Sequence, residues 1–241
     1  MINKIIKKIK RDAWVLRYII PTIYFNFHYL PFRQAIFLPV YLRKPKLLTL
    51  KGKVIIQMGG GKIKPGMIKL GVFGVSIYPS KGIMFQNRGT VVFRGRCSIG
   101  NDSYISVGKS GTLVFGDGFS ASTSLKIACY DTIEFSKDVH CGWECTFMDT
   151  DFHRMKYLDG RESPKPYGPI RIGEGCWFGF RSIVQKNTVL PKRTTVASNS
   201  LVNKAYYIPE ASIIAGQPAK LVKTGIYRDM HDDKIIYENG Q

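Results

Sequence analysis

From Ile172 onward an apolar side chain returns at every sixth residue: Ile172, Phe178, Val184, Leu190, Val196, Val202, Ile208 and Ile214. Four residues after most of these stands a small one, Cys176, Ser182, Thr188, Thr194, Ser200 or Ser212, with Tyr206 and Pro218 breaking the rule near the end. Side chains share a face every 3.6 residues in a helix and every 2 in a strand, so neither element alone has this period. Short strands joined by tight bends, each turn of the chain stacked on the last, do have it. The period recurs upstream with interruptions: Phe93, Ile99 and Ile105, then Phe115, Ala121, Ile127 and Ile133. After a slip of two it resumes at Phe135, Cys141 and Phe147. Gly108–Gly111 reads as a small corner insertion, and residues 51–92 are Gly-rich and β-like without a clear phase.

Three blocks sharpen this picture: Cys176-Trp177-Phe178-Gly179, then Val196 through Lys204, then Gly216-Gln217-Pro218-Ala219-Lys220. With the repeat, they resemble the hexapeptide-repeat acyltransferases, and most closely the bacterial maltose, galactoside and polysaccharide O-acetyltransferases. The resemblance covers residues 51–222 and implies an all-β solenoid, a left-handed parallel β-helix that departs from the usual right-handed crossover. It also implies acetyl-CoA as co-substrate, no metal, and a homotrimer holding CoA in the groove between subunits. The matching CoA positions here are Trp177, Gly179, Ala197, Ser198, Asn203, Lys204, Pro218, Ala219 and Lys220. Small residues let pantetheine approach the backbone, and Lys204 and Lys220 suit phosphates. An amide near Trp177–Gly179 is the implied donor to the tetrahedral oxyanion. Asn203 and Gln185-Lys186-Asn187 stand where relatives often carry Thr and Leu-Lys-Gly.

Between the two repeat tracts lies Asp149-Thr-Asp151-Phe-His153, followed by the non-repeating loop 154–170. In an extended chain the period of 2 puts Asp149, Asp151 and His153 on one side. An imidazole beside carboxylates suits general-base work near pH 7. By resemblance the catalytic base is His153, with Asp151 or Asp149 to orient it and Asp151 preferred. His140 is the rival base, one residue before a repeat position. Cys141 and Cys145 invite a metal site with His140, but both fall at repeat positions, where packing accounts for them. Trp143 either walls the acceptor pocket or covers a coil. Asp149-Thr-Asp151 also matches the D-x-D of metal-dependent glycosyltransferases, which need an α/β domain that the repeat excludes.

The chain has 241 residues and a formal charge of +19. Residues 1–101 hold 19 Lys+Arg and a single acid, Asp12, so nearly all of that charge sits in one half. Such segregation points to an anionic partner. Met1–Arg11 reads as a basic amphipathic helix, and residues 13–42 are apolar and aromatic but too interrupted to span a bilayer. Residues 1–50 are therefore expected as a basic helical segment, either in the headgroup plane of an anionic membrane or packed as a cap. Residues 223–241 form a tail. No nucleic-acid module is legible. The expected function is transfer of acetyl to a sugar hydroxyl of a bacterial cell-surface polysaccharide or its lipid-linked precursor, in the cytoplasm and at the inner membrane face. N-acetylation of an amino sugar or small-molecule acceptor, or a β-solenoid that only binds, are the alternatives.

Overall fold

The computed structural model describes residues 12–230 and residue 232; Met1–Arg11, with its expected amphipathic helix, lies outside them. The strands form three sheets of nine, seven and six members, visited in rotation. Cys97–Gly100 lies in the nine-stranded sheet, Ser103–Val107 in the seven-stranded and Thr112–Phe115 in the six-stranded, and Phe119–Ala121 returns to the first. Every pairing but the last is parallel, joining each strand to the equivalent one a coil later. This is the left-handed parallel β-helix expected from the repeat.

The repeat residues fill the interior. Ile172, Phe178, Val184, Leu190, Val196 and Val202 are each 2% exposed or less. Phe178, Val196 and Ile214 are register partners in successive coils, 18 residues apart, which is three sides of six. Burying each such side chain is worth ~1.5–3 kcal/mol, so the ladder is a principal source of stability.

The slip of two also has a structural cause. Ile133 and Phe135 lie on one strand, Thr132–Phe135, and both are buried. Upstream coils are longer, with partners 22 residues apart from Ile99 to Ala121 and 20 apart from Ala121 to Cys141. The six-stranded sheet therefore carries two inward residues per strand there. Its aromatic members stack, Phe93 on Phe115 at 5.3 Å and Phe115 on Phe135 at 5.7 Å, with near-parallel rings.

Corners repeat as regularly as sides. Gly175, Arg181, Asn187, Arg193, Asn199 and Ala211 all have positive φ. Asn tolerates that conformation better than most residues, but Arg and Ala adopt it at some cost, imposed by closure of the coil. The small repeat positions secure these corners. Ser182, Thr188, Thr194 and Ser212 each donate a hydroxyl hydrogen bond to the carbonyl three residues earlier, at 2.7–2.9 Å. Tyr206 departs from the rule in the last coil, where it donates to the Ala219 carbonyl of a closing antiparallel hairpin, Ser212–Gly216 with Ala219–Thr224.

At the other end a helix, Ile19–Tyr29, covers the first coil. The first strand, Val40–Leu42, lacks a preceding coil, and the helix supplies its missing partners. Asn26 accepts from Val40 N–H and donates to Val40 C=O, while Thr22 Oγ1 accepts from Leu42 N–H. An otherwise open sheet edge is thereby satisfied. Phe25 is fully buried, packed edge-on against Phe85 at 5.3 Å. The solenoid thus begins at Val40, inside the segment assigned to residues 1–50. The expected boundary misses it because residues 40–56 carry no clean six-residue phase.

Candidate active site

The loop between the repeat tracts leaves the β-helix where the seven-stranded sheet turns toward the six-stranded one. Its root is a short antiparallel stem. Thr150 pairs with Tyr167, Asp151 N–H donates to Pro166 C=O at 2.7 Å, and Gly168 N–H donates to Asp149 C=O at 3.0 Å. A Cβ on Gly168 would lie 2.0 Å from Asn187 Oδ1 in the next coil, so a larger residue there would displace that side chain. The loop beyond the stem is solvated: Met155 is 63% exposed and Leu158 wholly so.

The three residues of the Asp/His cluster go to different places. Asp149 is fully buried, and its two oxygens accept from Tyr130 N–H at 2.7 Å and Asp131 N–H at 2.9 Å. Burial raises its pKa, and the two amide donors oppose the rise. It is a corner bracket tying the loop root to the preceding coil. Asp151 is exposed and pairs with Lys186 Nζ at 2.6 Å. His153 is exposed, one residue after Phe152, whose positive φ and contact with Tyr130 at 4.9 Å turn the chain outward. Neither carboxylate hydrogen-bonds the imidazole. The period of 2 fails here because the stem ends at Asp151 and the chain bends.

Lys186 is a residue at the loop root to which the pattern reading assigns no role. It also donates to Lys165 C=O at 2.9 Å, so one ammonium clasps both strands of the stem. Position 186 keeps the Lys of the Leu-Lys-Gly that relatives often carry, while its neighbours Gln185 and Asn187 depart from it. Exposed pairs of this kind are worth ~0.2–1 kcal/mol. Lys186→Ala is expected to leave the thermal midpoint nearly unchanged while speeding proteolytic nicking within residues 152–165, read by limited proteolysis and mass spectrometry.

The expected CoA positions divide between two corners. Gly179 and Ala197 are stacked register neighbours at the corner joining the nine- and seven-stranded sheets, with Ser198 beside them. A Cβ on Gly179 would lie 2.6 Å from Ser198 N. Asn203 and Lys204 lie at the next corner, one coil beyond Lys186. A side of the coil separates the two columns, ~15–20 Å for five or six extended residues. Pro218 and Lys220 are exposed on the closing hairpin, and Ala219 is buried. Trp177 faces outward from the nine-stranded sheet under Arg228, whose guanidinium lies 4.9 Å from the ring centre. The amides of Trp177 and Gly179 donate to Thr194 and Val196 carbonyls. These two amides are spent on the ladder and are not free to serve as the expected oxyanion donor.

His140 projects outward on the nine-stranded sheet, its Nδ1 2.8 Å from Ser120 Oγ. Cys141 points inward from the same strand, so the two cannot share a metal. Trp143 stands in an aromatic row with Tyr78 and Phe180 at the other corner, away from His153. Among the described residues no cluster of three or more His, Cys, Asp or Glu could hold a metal ion.

No protein-family model matches the chain. An uncharacterized 24.8 kDa protein in the cps region of Klebsiella pneumoniae is 28% identical over 197 residues, 81% of this chain and 86% of the relative. A putative lipopolysaccharide biosynthesis O-acetyl transferase, WbbJ, of Escherichia coli K12 is 25% identical over 154 residues, 55% of this chain and 78% of its own length. With this relative and the coil architecture described above, the chain is similar to the hexapeptide-repeat acyltransferases. Among solved structures, the polySia-specific acetyltransferase NeuO is 15% identical, with a TM-score of 0.49 over 80% of this chain and 92% of NeuO.

Proposed function

We propose that this acyltransferase moves acetyl from acetyl-CoA to a sugar hydroxyl of a bacterial cell-surface polysaccharide or its lipid-linked precursor. The observation that carries the reading is His153, an exposed imidazole presented on a stapled stem at the root of a solvated loop. His153 takes the hydroxyl proton as the oxygen attacks the thioester carbonyl, then returns it to the departing CoA sulfur. No acyl-enzyme is required. Asp151 acts through Lys186, holding the stem and thereby the direction of His153, and Asp149 anchors the root. The relatives' names, lipopolysaccharide O-acetyl transferase and cps-region protein, support a surface glycan as acceptor.

The division of the CoA positions between two corners supports a cofactor lying between chains in a homotrimer, one chain offering Gly179, Ala197 and Ser198 and the next Asn203 and Lys204. The exposed apolar tip of the loop, Met155 and Leu158, supports a neighbouring subunit as its cover. The test is incubation of the protein with carbonyl-labelled acetyl-CoA and surface glycans, followed by NMR. Acetyl signals lost in mild base identify esters. Base-stable signals would mean amide formation, and no incorporation across lipopolysaccharide and capsular glycans would overturn the assignment.

The N-terminal cap supports attachment to an anionic membrane. Its packed side holds Thr22, Phe25 and Asn26, while Leu16, Ile20, Tyr24, Phe27 and Phe32 are 47–80% exposed. Among the described residues no helix is long and apolar enough to cross a membrane. An apolar face in a strongly basic half fits a segment lying in the headgroup plane, with ~1 kcal/mol from each Lys or Arg near the surface. Sedimentation should show binding to anionic but not zwitterionic vesicles, weakened by salt. Ile20→Glu with Phe32→Glu should reduce it and leave activity on a soluble acceptor fragment intact. Absence of vesicle binding at low salt would remove the membrane from the reading.

A further inference from the structure

A cavity of about 830 Å³ lies on the nine-stranded face and shares no residue with the His153 loop. Four cations line it, Arg43, Lys64, Lys69 and Arg96, against one carboxylate, Asp12, which is ion-paired with Lys69. Arg96 carries Asp117 on Nε and Nη2 at 3.1–3.2 Å, leaving its Nη1. Arg43 is the telling residue. Its guanidinium lies over the Phe73 ring, 5.1 Å from the centroid, and its Nη1 is buried with no hydrogen-bond partner. Held against that ring, the Arg43 side chain lines the cavity as a fixed positive charge with donors to offer an anionic ligand. The walls add aromatic surface from Trp14 and Phe73.

We propose that this cavity is a binding site for a phosphate ester, with Arg43 and Lys64 as the principal contacts. The planar fork of Arg matches phosphate oxygens, Lys adds compact charge, and converging cations suit a phosphate or diphosphate better than a single carboxylate. A smaller neighbouring cavity of about 340 Å³ shares Lys64 and Arg96 and adds Lys62, Arg94 and Asp117. Arg94 is paired with Glu134 and Asp117 holds Arg96, so Lys62 is its one further unpaired cation among the described residues. The site also sits where a lipid-borne phosphate can reach it. Trp14 belongs to the 3-10 turn Ala13–Tyr18, which leads directly into the helix bearing the exposed apolar face. The phosphate can belong to a lipid-linked molecule held at that surface or to a water-soluble ester. The site stands whether or not His153 performs acetyl transfer.

The experiment uses the full chain without acetyl-CoA, so failure of the transfer reading does not affect it. Inorganic diphosphate is titrated by calorimetry, and saturable one-to-one binding is expected. Arg43→Gln and Lys64→Gln should each weaken it about ten-fold, the scale of one charge-assisted contact. Lys64 is exposed, so its substitution tests the site even if Arg43→Gln disturbs folding. Lys109→Gln, at an exposed corner outside the cavity, should bind as the parent does. Phosphatidylcholine vesicles doped with a polyprenyl phosphate form a second arm. Binding to them that requires Lys64 and is competed by diphosphate identifies the lipid source, and diphosphate binding without vesicle binding identifies the soluble one. No saturable binding, or equal weakening by Lys109→Gln, would overturn the proposal.

Discussion

Turnover of the His153→Ala variant is expected to fall by at least ~100-fold with affinity for acetyl-CoA nearly unchanged, the usual consequence of removing a general base. Stability should not change with it. His153 is solvent-exposed, so its truncation opens no cavity. Steady-state kinetics with a surface glycan, alongside a thermal melt, separates the two quantities. His140→Ala provides the contrast, since His140 sits on another face and is engaged by Ser120. It should be much milder. Asp151→Asn should lose less than His153→Ala, because it loosens the clasp with Lys186 and leaves the imidazole in place. A larger loss for His140→Ala than for His153→Ala would reverse the assignment of the base.

Val196→Asp is expected to prevent folding altogether. Val196 is fully buried between its register partners Phe178 and Ile214. The substitution forfeits ~1.5–3 kcal/mol of burial and adds an unpaired interior charge costing several more. Typical domain stabilities of ~5–15 kcal/mol leave little margin for that. A solenoid has an added weakness, because each coil contacts only its neighbours and loss of one uncovers two. Circular dichroism and size-exclusion chromatography of the expressed variant should show no β-rich folded species. A soluble variant with the parent spectrum would mean that the interior ladder is not what holds the β-helix.

The six-residue period determined the interior by itself. Phe178, Val184, Leu190 and Val196 could be placed without coordinates because one side of an 18-residue coil repeats in sequence as it repeats in space. The small residue four places on was equally legible, although its function was not. Only the folded corner reveals that Ser182, Thr188 and Thr194 donate to a carbonyl three residues back. Where coils lengthen to 20 and 22 residues the period blurs, and the phase of Ile133 against Phe135 was decided by their sharing one strand.

The site divides in the same way. The break in the repeat marks where a loop leaves the solenoid, and a local pattern can show this because it is a change of period. The partners of Asp149, Asp151 and Lys186 could not be read locally. Asp149 meets amides 18 and 19 residues upstream, and Lys186 meets a carboxylate 35 residues before it, contacts made only by stacking one coil on another. The cavity around Arg43 lay wholly outside the sequence pattern. Its cations come from positions 43, 64, 69 and 96, spread over successive coils, and they converge because coils of unequal length bring unrelated positions to one face.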